Sequence, residues 1–506
     1  MATTPDDATV AEASFSEREQ RFERWRSTIG FFLGPLASVV VWWLPLGGLD
    51  LRAHRLAAIV TLVVVWWVTE PIPIPATALV GAALMVVAGV ASAQVAFAPF
   101  ASPTIFLVIG SFIVAEALSL HGLDRRVATW LLSTPWVGRS PFRVRFAFGA
   151  LAASISAWMS NTATAAMLLP VALGLLSGRS AVLGGPYAGR GLLLTLAYAA
   201  SIGGVATPVG TPPNLITIGM LNTLAGIEVD FFRWMVVGVP VSLGMYAVLT
   251  GLTRWLYPVR AAAASRGTIA VPGMAEIGPW GRAQTNCLIA FGLAVALWVS
   301  PGAIALRWGT ASDVYKLISA RLDEGTVALL AAGLLFVLPV DWRRRRFTVG
   351  WNDAARIDWG TILLFGGGLA LGQQMFETGL AAKIGHGLVA VSRADSLWTI
   401  TAVMTVVAVL TTEITSNTAA TNMLVPVAVA VAQAAHVSPA PPAMGVAMGA
   451  SLAYMLPIST PPNAIVYGTG KVPVTEMIKC GVLLDVLSVA LLLAALRLLC
   501  PILGLG

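Results

Sequence analysis

The chain has 506 residues, 57% of them apolar and only 11% charged, with a formal charge of +7. A soluble domain carries about 25% charged residues, so this composition excludes disorder, collagen-like repeats and a coiled coil and points to an all-α polytopic integral membrane protein. At about 20 apolar residues per span the length accommodates about ten to twelve spans, and the excess of Lys and Arg reads as positive-inside topology rather than a nucleic-acid surface.

Residues 1–28 are polar and mixed in charge and lack the apolar core and small-residue cleavage site of a signal peptide, so they read as a retained cytoplasmic tail. A first transmembrane helix is expected over 29–54. Residues 55–256 form a first block of apolar segments, in which 143–176 is too long for one span and 191–224 is interrupted by Gly and Pro. The polar stretch 257–283 reads as a cytoplasmic linker. Residues 284–506 form a second block with the same two irregularities, at 397–434 and 441–468. Trp42-Trp43 and Trp66-Trp67 read as interfacial belts. The three cysteines (Cys287, Cys480, Cys500) and four histidines are scattered, which indicates neither a disulfide framework nor a zinc site.

Topology follows from basic residues. With the N-terminus inside, and with 143–176 and 397–434 each entering and leaving on one side, 22 of the 31 Lys and Arg fall on the cytoplasmic face. Arg343-Arg344-Arg345-Arg346 marks one such loop strongly. Treating either long segment as a simple span would invert the loops that follow, so both read as re-entrant hairpins.

The two blocks repeat each other. Ser160-Asn161-Thr162-Ala163 returns as Ser416-Asn417-Thr418-Ala419, and Pro170 as Pro426, each 256 residues on. Thr211-Pro212-Pro213-Asn214 returns as Thr460-Pro461-Pro462-Asn463, 249 residues on. Because the first hairpin opens inward and the second outward, the blocks are inverted repeats, and interrupted segments at matching places in such repeats point to a secondary transporter's binding site.

Each motif stops a helix inside the bilayer. Counted from Phe146, the apolar arm that enters the first hairpin spans only about 21 Å at ~1.5 Å per residue, short of the ~30 Å hydrocarbon core. Ser, Asn and Thr are preferred N-caps, so the returning helix starts at the triplet. Proline is accepted in a helix's first turn but not its interior, so Thr211 and Thr460 become caps. Four half-helix N-termini then converge, nominally with about +0.5 charge each, and their sum suits a dianion without any Arg or Lys. The preceding half-helices expose carbonyls around Ser156–Ser160, Ala206–Gly210, Thr412–Thr415 and Leu456–Ser459, which suit a hard monovalent cation. Asn161 and Asn417 can offer oxygen to a cation and NH₂ to an anion at once. One isolated motif of either kind would read as an interhelical hydrogen bond or a kink; two of each in matching places do not.

At these residues the sequence resembles the divalent anion:sodium symporter family of di- and tricarboxylate and sulfate carriers. The resemblance runs from about residue 29 and includes Trp66-Trp67-Val68-Thr69-Glu70-Pro71-Ile72-Pro73, both SNT and both TPPN motifs, and Ile202-Gly203-Gly204-Val205-Ala206-Thr207. It implies about eleven transmembrane helices plus two re-entrant hairpins, a homodimer, and scaffold and transport domains that work as an elevator. Carried over by motif, substrate contacts fall on Ser160, Asn161, Thr162, Ser416, Asn417, Thr418 and Thr460. One sodium site would use Ser156, Ser160, Asn161 and Gly210, the other Thr412, Thr415, Asn417 and Ser459. Gly210 and Ser459 differ between the repeats.

The function expected is Na⁺-coupled transport of a small dianionic carboxylate such as succinate, malate or fumarate, with sodium as coupling ion and no organic cofactor, in a bacterial inner membrane. A sodium-independent carboxylate exchanger and a sulfate or tricarboxylate carrier are the nearest alternatives. An intramembrane hydrolase built on Ser160 or Ser416 would need a base within reach, and neither hairpin contains a histidine.

Overall fold

The computed structural model describes residues 17–134, 136–137, 140–176, 186–258, 278–309, 312–392 and 396–506. Most of the expected tail and most of the 257–283 linker lie outside them. The fold is all-α, apart from one small antiparallel hairpin, Pro339–Asp341 with Arg346–Phe347. Arg343, Arg344 and Arg345 form its exposed turn, and the Asp341 carboxylate accepts from the Arg343 and Arg344 amides at 3.0 and 3.2 Å.

By length and composition, five helices among the described residues can cross a membrane unbroken: Leu51–Thr69, Pro103–Leu120, Phe231–Leu256, Arg282–Ala305 and Val474–Ile502. The first helix differs from the expected 29–54. It runs Glu17–Trp43, and the next starts at Leu51, where the Asp50 carboxylate accepts from the Ala53 amide at 2.7 Å and caps it. Its early start reflects the alternating Glu and Arg of residues 17–26, good helix formers that the hydropathy pattern alone does not register. Trp67 departs from the belt reading. It is 2% exposed and its indole donates to the Ile74 carbonyl at 3.3 Å, whereas Trp43 is 79% exposed.

The over-long segments are all split. The first hairpin is Pro141–Ser156 and Asn161–Leu176, and the second is Leu397–Thr412 and Asn417–Ala434. The interrupted segments are Pro186–Gly204 with Pro212–Ala225, and Ala440–Ala450 with Pro461–Tyr467. These pieces carry much of the buried core. Ala440–Ala450 is buried at every position, with alanine, glycine, proline, methionine and valine letting neighbouring backbones come close.

The halves interlock. Asn161–Leu176 packs on Pro186–Gly204 of its own half and on Pro461–Tyr467 of the other, and Asn417–Ala434 packs on Ala440–Ala450 and crosses to Pro212–Ala225. Each hairpin's return arm thus lies beside the broken helix of the opposite repeat, and the breaks are gathered into one region.

Candidate functional site

The half-helix starts lie where the motifs place them. Asn161 and Asn417 are the first helical residues of the two return arms, and Pro212 and Pro461 open the second halves of the broken helices. Thr460 caps with its side chain, accepting from the Asn463 amide at 3.3 Å. Ser416 and Thr211 hold cap positions without a side-chain cap bond, so their hydroxyls are not consumed in capping. The fourth half-helix, Pro461–Tyr467, has only seven residues. It is too short to develop the full terminal charge, so the four N-termini together fall below the nominal sum of about +2.

The side chains repeat as the sequence does. The Ser156 hydroxyl donates to Asn161 Oδ1 at 2.6 Å, and 256 residues on Thr412 donates to Asn417 Oδ1, also at 2.6 Å. Both asparagines therefore hold their amides in one orientation, oxygen toward the entering arm and NH₂ away from it. Gly204 abuts Asn161, since a Cβ placed there would stand 2.6 Å from its Oδ1. Gly210 sits against backbone, and its Cβ would lie 2.6 Å from the Gly204 carbonyl oxygen and 2.9 Å from that of Ala157. Ser156, Asn161 and Gly210 are thus brought together. Ser160 stands exposed at the tip, with Asn161 and Thr162 half-buried beside it.

In the second repeat Ser459 replaces Gly210 and uses its hydroxyl. It donates to the Glu413 carbonyl at 3.1 Å and to Glu413 Oε2 at 2.5 Å. Thr412 also reaches the Ala450 carbonyl at 2.7 Å. Thr412, Asn417 and Ser459 surround the hairpin turn. Thr415 lies in the same turn, with its hydroxyl directed to the Trp67 carbonyl at 2.9 Å. Ser416, Asn417 and Thr418 are half-buried, Thr460 is buried, and the Thr418 carbonyl accepts from Asn422 Nδ2 at 2.9 Å.

Several carbonyls expected to be open are occupied. Asn214 Nδ2 donates to the Gly204 and Thr207 carbonyls at 2.8 and 2.7 Å, and Asn463 Nδ2 donates to those of Ala453 and Leu456 at 2.9 and 3.0 Å. Thr207 donates to the Ala157 carbonyl. The last residue of each TPPN motif therefore staples the break it follows, a role that reading the motif as a cap and a proline missed. The signal was present, because the asparagine repeats with the prolines. Asn214 Oδ1 and Asn463 Oδ1 are both buried without a partner, leaving one acceptor oxygen at each break.

The hairpin tips are fastened differently. In the first, Trp158 stacks on Phe231 at 6.2 Å and 18° and meets Phe291 edge-on at 5.1 Å. In the second, the tip is tied by Thr415 to Trp67, and by the Arg26 guanidinium, which donates to the Ile414 carbonyl at 2.9 Å and the Val68 carbonyl at 3.3 Å.

Comparison with known proteins agrees with this architecture. Residues 27–505 match the sodium:sulfate symporter transmembrane region. The chain is 32% identical over 503 residues to the sodium-dependent dicarboxylate transporter SdcS of Staphylococcus saprophyticus, covering 96% of this chain and 94% of that protein. It is 30% identical over 500 residues to SdcS of Staphylococcus aureus, covering 94% and 91%. Among solved structures, the Neisseria gonorrhoeae antimetabolite efflux pump MtrF superposes with a TM-score of 0.56 at 13% identity, covering 93% of this chain and 98% of that one, a likeness of fold alone.

Proposed function

The chain belongs to the sodium:sulfate symporter transmembrane family, and from that membership we propose that it carries small dicarboxylate dianions across the plasma membrane, driven by Na⁺. Its integral membrane character and its place among transporters are the family's; the substrate and the coupling are our reading. The observation that carries it is the duplicated pair Ser156–Asn161 and Thr412–Asn417. Each pair fixes an amide at a half-helix N-terminus, with oxygen turned toward the preceding carbonyls and NH₂ turned outward.

On this reading the anion lies between the tips, held by Ser160, Asn161, Thr162, Ser416, Asn417, Thr418 and Thr460 and by the terminal amides of the half-helices. One Na⁺ sits among Ser156, Ser160, Asn161 and Gly210, the other among Thr412, Thr415, Asn417 and Ser459. Cation and anion share Asn161 and Asn417, so each raises the affinity for the other by the same factor. The N-terminus is cytoplasmic, two inverted repeats meet at the linker, and the site travels within a transport domain against a scaffold in a homodimer. The identity to two sodium-dependent dicarboxylate transporters supports this choice of substrate and ion.

Uptake of labelled succinate into proteoliposomes tests it directly. Uptake should require an inward Na⁺ gradient and should collapse in choline. Equal succinate binding in both salts, with counter-flow needing only a second internal anion, would establish the exchanger instead. Sulfate uptake without succinate uptake would place it with the sulfate carriers.

A further inference from the structure

The small β-hairpin, Pro339–Asp341 with Arg346–Phe347, takes no part in the proposed anion or cation sites. Its base is nevertheless fastened to the ends of two membrane-spanning helices. His121 Nε2, just past Pro103–Leu120, donates to the Thr348 carbonyl at 2.7 Å. Asn286 Nδ2, near the start of the Arg282–Trp308 helix, donates to Thr348 Oγ1 at 2.8 Å and to the Pro339 carbonyl at 3.3 Å. Thr348 donates in turn to the Leu338 carbonyl at 2.9 Å, and both Thr348 and Val349 are buried. The hairpin is therefore held where two spans leave the hydrocarbon, which is the depth of the lipid headgroups.

What it presents there is basic and aromatic. Between Pro339 and Arg356 stand five arginines and two acids, Asp341 and Asp353, so the face is cationic. Among the described residues, only Arg344 of the four hairpin arginines has an ion-pair partner, Asp341 at 3.8 Å, and that pair lies at the surface. Trp342 and Trp351 are 71% and 70% exposed, and Trp342 meets the exposed Phe347 edge-on at 6.4 Å.

Two cavities flank the turn. One, of about 570 Å³, lies between the hairpin and the end of Pro103–Leu120, with His121, Arg345, Arg346, Thr348 and Asp353 in its lining. The other, of about 340 Å³, is bounded by Trp342, Arg345 and Phe347. Arg345 thus stands between a polar cavity and an aromatic one. Its φ of 49° is in the left-handed region, so the turn places an arginine where glycine would fit at no steric cost. Asp353 brings the polar cavity one carboxylate, which accepts from the Gly350 amide at 3.2 Å, against two guanidiniums.

This pairing suits a molecule that is anionic at one end and apolar at the other. A guanidinium matches phosphate oxygens two at a time, and indole and phenyl rings pack well where headgroup meets acyl chain. A soluble anion would leave the rings unused, and a zwitterionic lipid would bring its own cation beside the arginines. We propose that this hairpin binds an anionic phospholipid, with its phosphate on Arg345 and Arg346 and its glycerol and upper acyl chains against Trp342 and Phe347. The positive-inside rule asks only for charge near the end of a span. A lipid site asks for the folded turn, so the arginines are not equivalent: Arg345 and Arg346 line the polar cavity, whereas Arg343 and Arg344 point charge at open surface.

Amide hydrogen exchange over residues 338–349 tests this on the full chain in nanodiscs. Exchange should be several-fold slower in discs of phosphatidylglycerol mixed with phosphatidylcholine than in discs of phosphatidylcholine alone. Arg345→Gln with Arg346→Gln should abolish that difference, while Arg343→Gln with Arg344→Gln, an equal change of charge, should keep it. Each single variant, Arg345→Gln or Arg346→Gln, should lose part of it, which preserves the test if the double variant fails to fold. Inorganic phosphate added to phosphatidylcholine discs should leave exchange unchanged. Equal exchange in the two lipids, or full protection in both single variants, overturns the proposal. Equal loss from the two double variants reduces the cluster to diffuse charge and overturns the site. Protection by inorganic phosphate alone makes the occupant a soluble anion and overturns the lipid.

Discussion

Gly204→Ala tests the first site without touching a proposed ligand. The added methyl would stand 2.6 Å from Asn161 Oδ1 and 3.1 Å from its Nδ2, where carbon packs at about 3.5–4.0 Å. The amide must therefore retreat by about 1 Å, and the Ser156–Asn161 bond, now 2.6 Å, would stretch to about 3.6 Å, beyond a hydrogen bond. Losing one buried bond of this kind costs about 1–3 kcal/mol, or about 5- to 150-fold in dissociation constant. The second repeat supplies the control, because its equivalent position is already Ala453, fully buried. Ala453→Gly removes a methyl worth about 0.8 kcal/mol of stability and should leave binding unchanged. Isothermal titration of the purified protein with Na⁺, and with succinate at fixed Na⁺, reads both. If Gly204→Ala keeps parental affinities and a parental thermal transition, the packing of Asn161 does not set the site.

Gly210→Ser, which installs the second repeat's residue, should destabilise by about 1–3 kcal/mol, because its Cβ meets the Gly204 and Ala157 carbonyls and backbone cannot swing away; a thermal transition unmoved from the parent's would contradict this. Ser156→Ala and Thr412→Ala should each shrink the enhancement of succinate binding by Na⁺ over choline, expected at 5- to 150-fold for a coupling of about 1–3 kcal/mol, and an undiminished ratio would remove those hydroxyls from the coupling. Arg26→Ala should loosen the second tip, seen as faster amide exchange around Ile414 while exchange around Trp158 stays as it was. Cysteines placed beside Arg343–Arg346 should react with impermeant reagents from the cytoplasmic side alone and those near Ser312 from outside alone; the same sidedness for both would sink the inverted layout.

How far the sequence could be read depends on the range of the interaction. The split hairpins and broken helices were legible because Ser-Asn-Thr and Thr-Pro-Pro stop helices by local backbone chemistry, and Asn161, Asn417, Pro212 and Pro461 do begin helices. What stayed hidden required contacts between distant segments. Asn214 and Asn463 looked like ends of motifs until their amides were seen bridging two carbonyls across each break. Trp67 could not be told from Trp66 by composition, since only packing decides which of two adjacent indoles turns inward.

The two tips carry the same Ser-Asn-Thr triplet, yet they are held by forces with different thermal character. Lifting Trp158 from Phe231 and Phe291 exposes aromatic surface, which carries a positive heat-capacity change and weakens as a grip on cooling. Releasing Thr415 and Arg26 instead trades hydrogen bonds to Trp67, Val68 and Ile414 for bonds to water, with little apolar exposure and a smaller heat-capacity change. Temperature is thus a lever that acts unequally on two symmetry-related contacts: cooling shifts the balance toward a loosened first tip, and warming shifts it back.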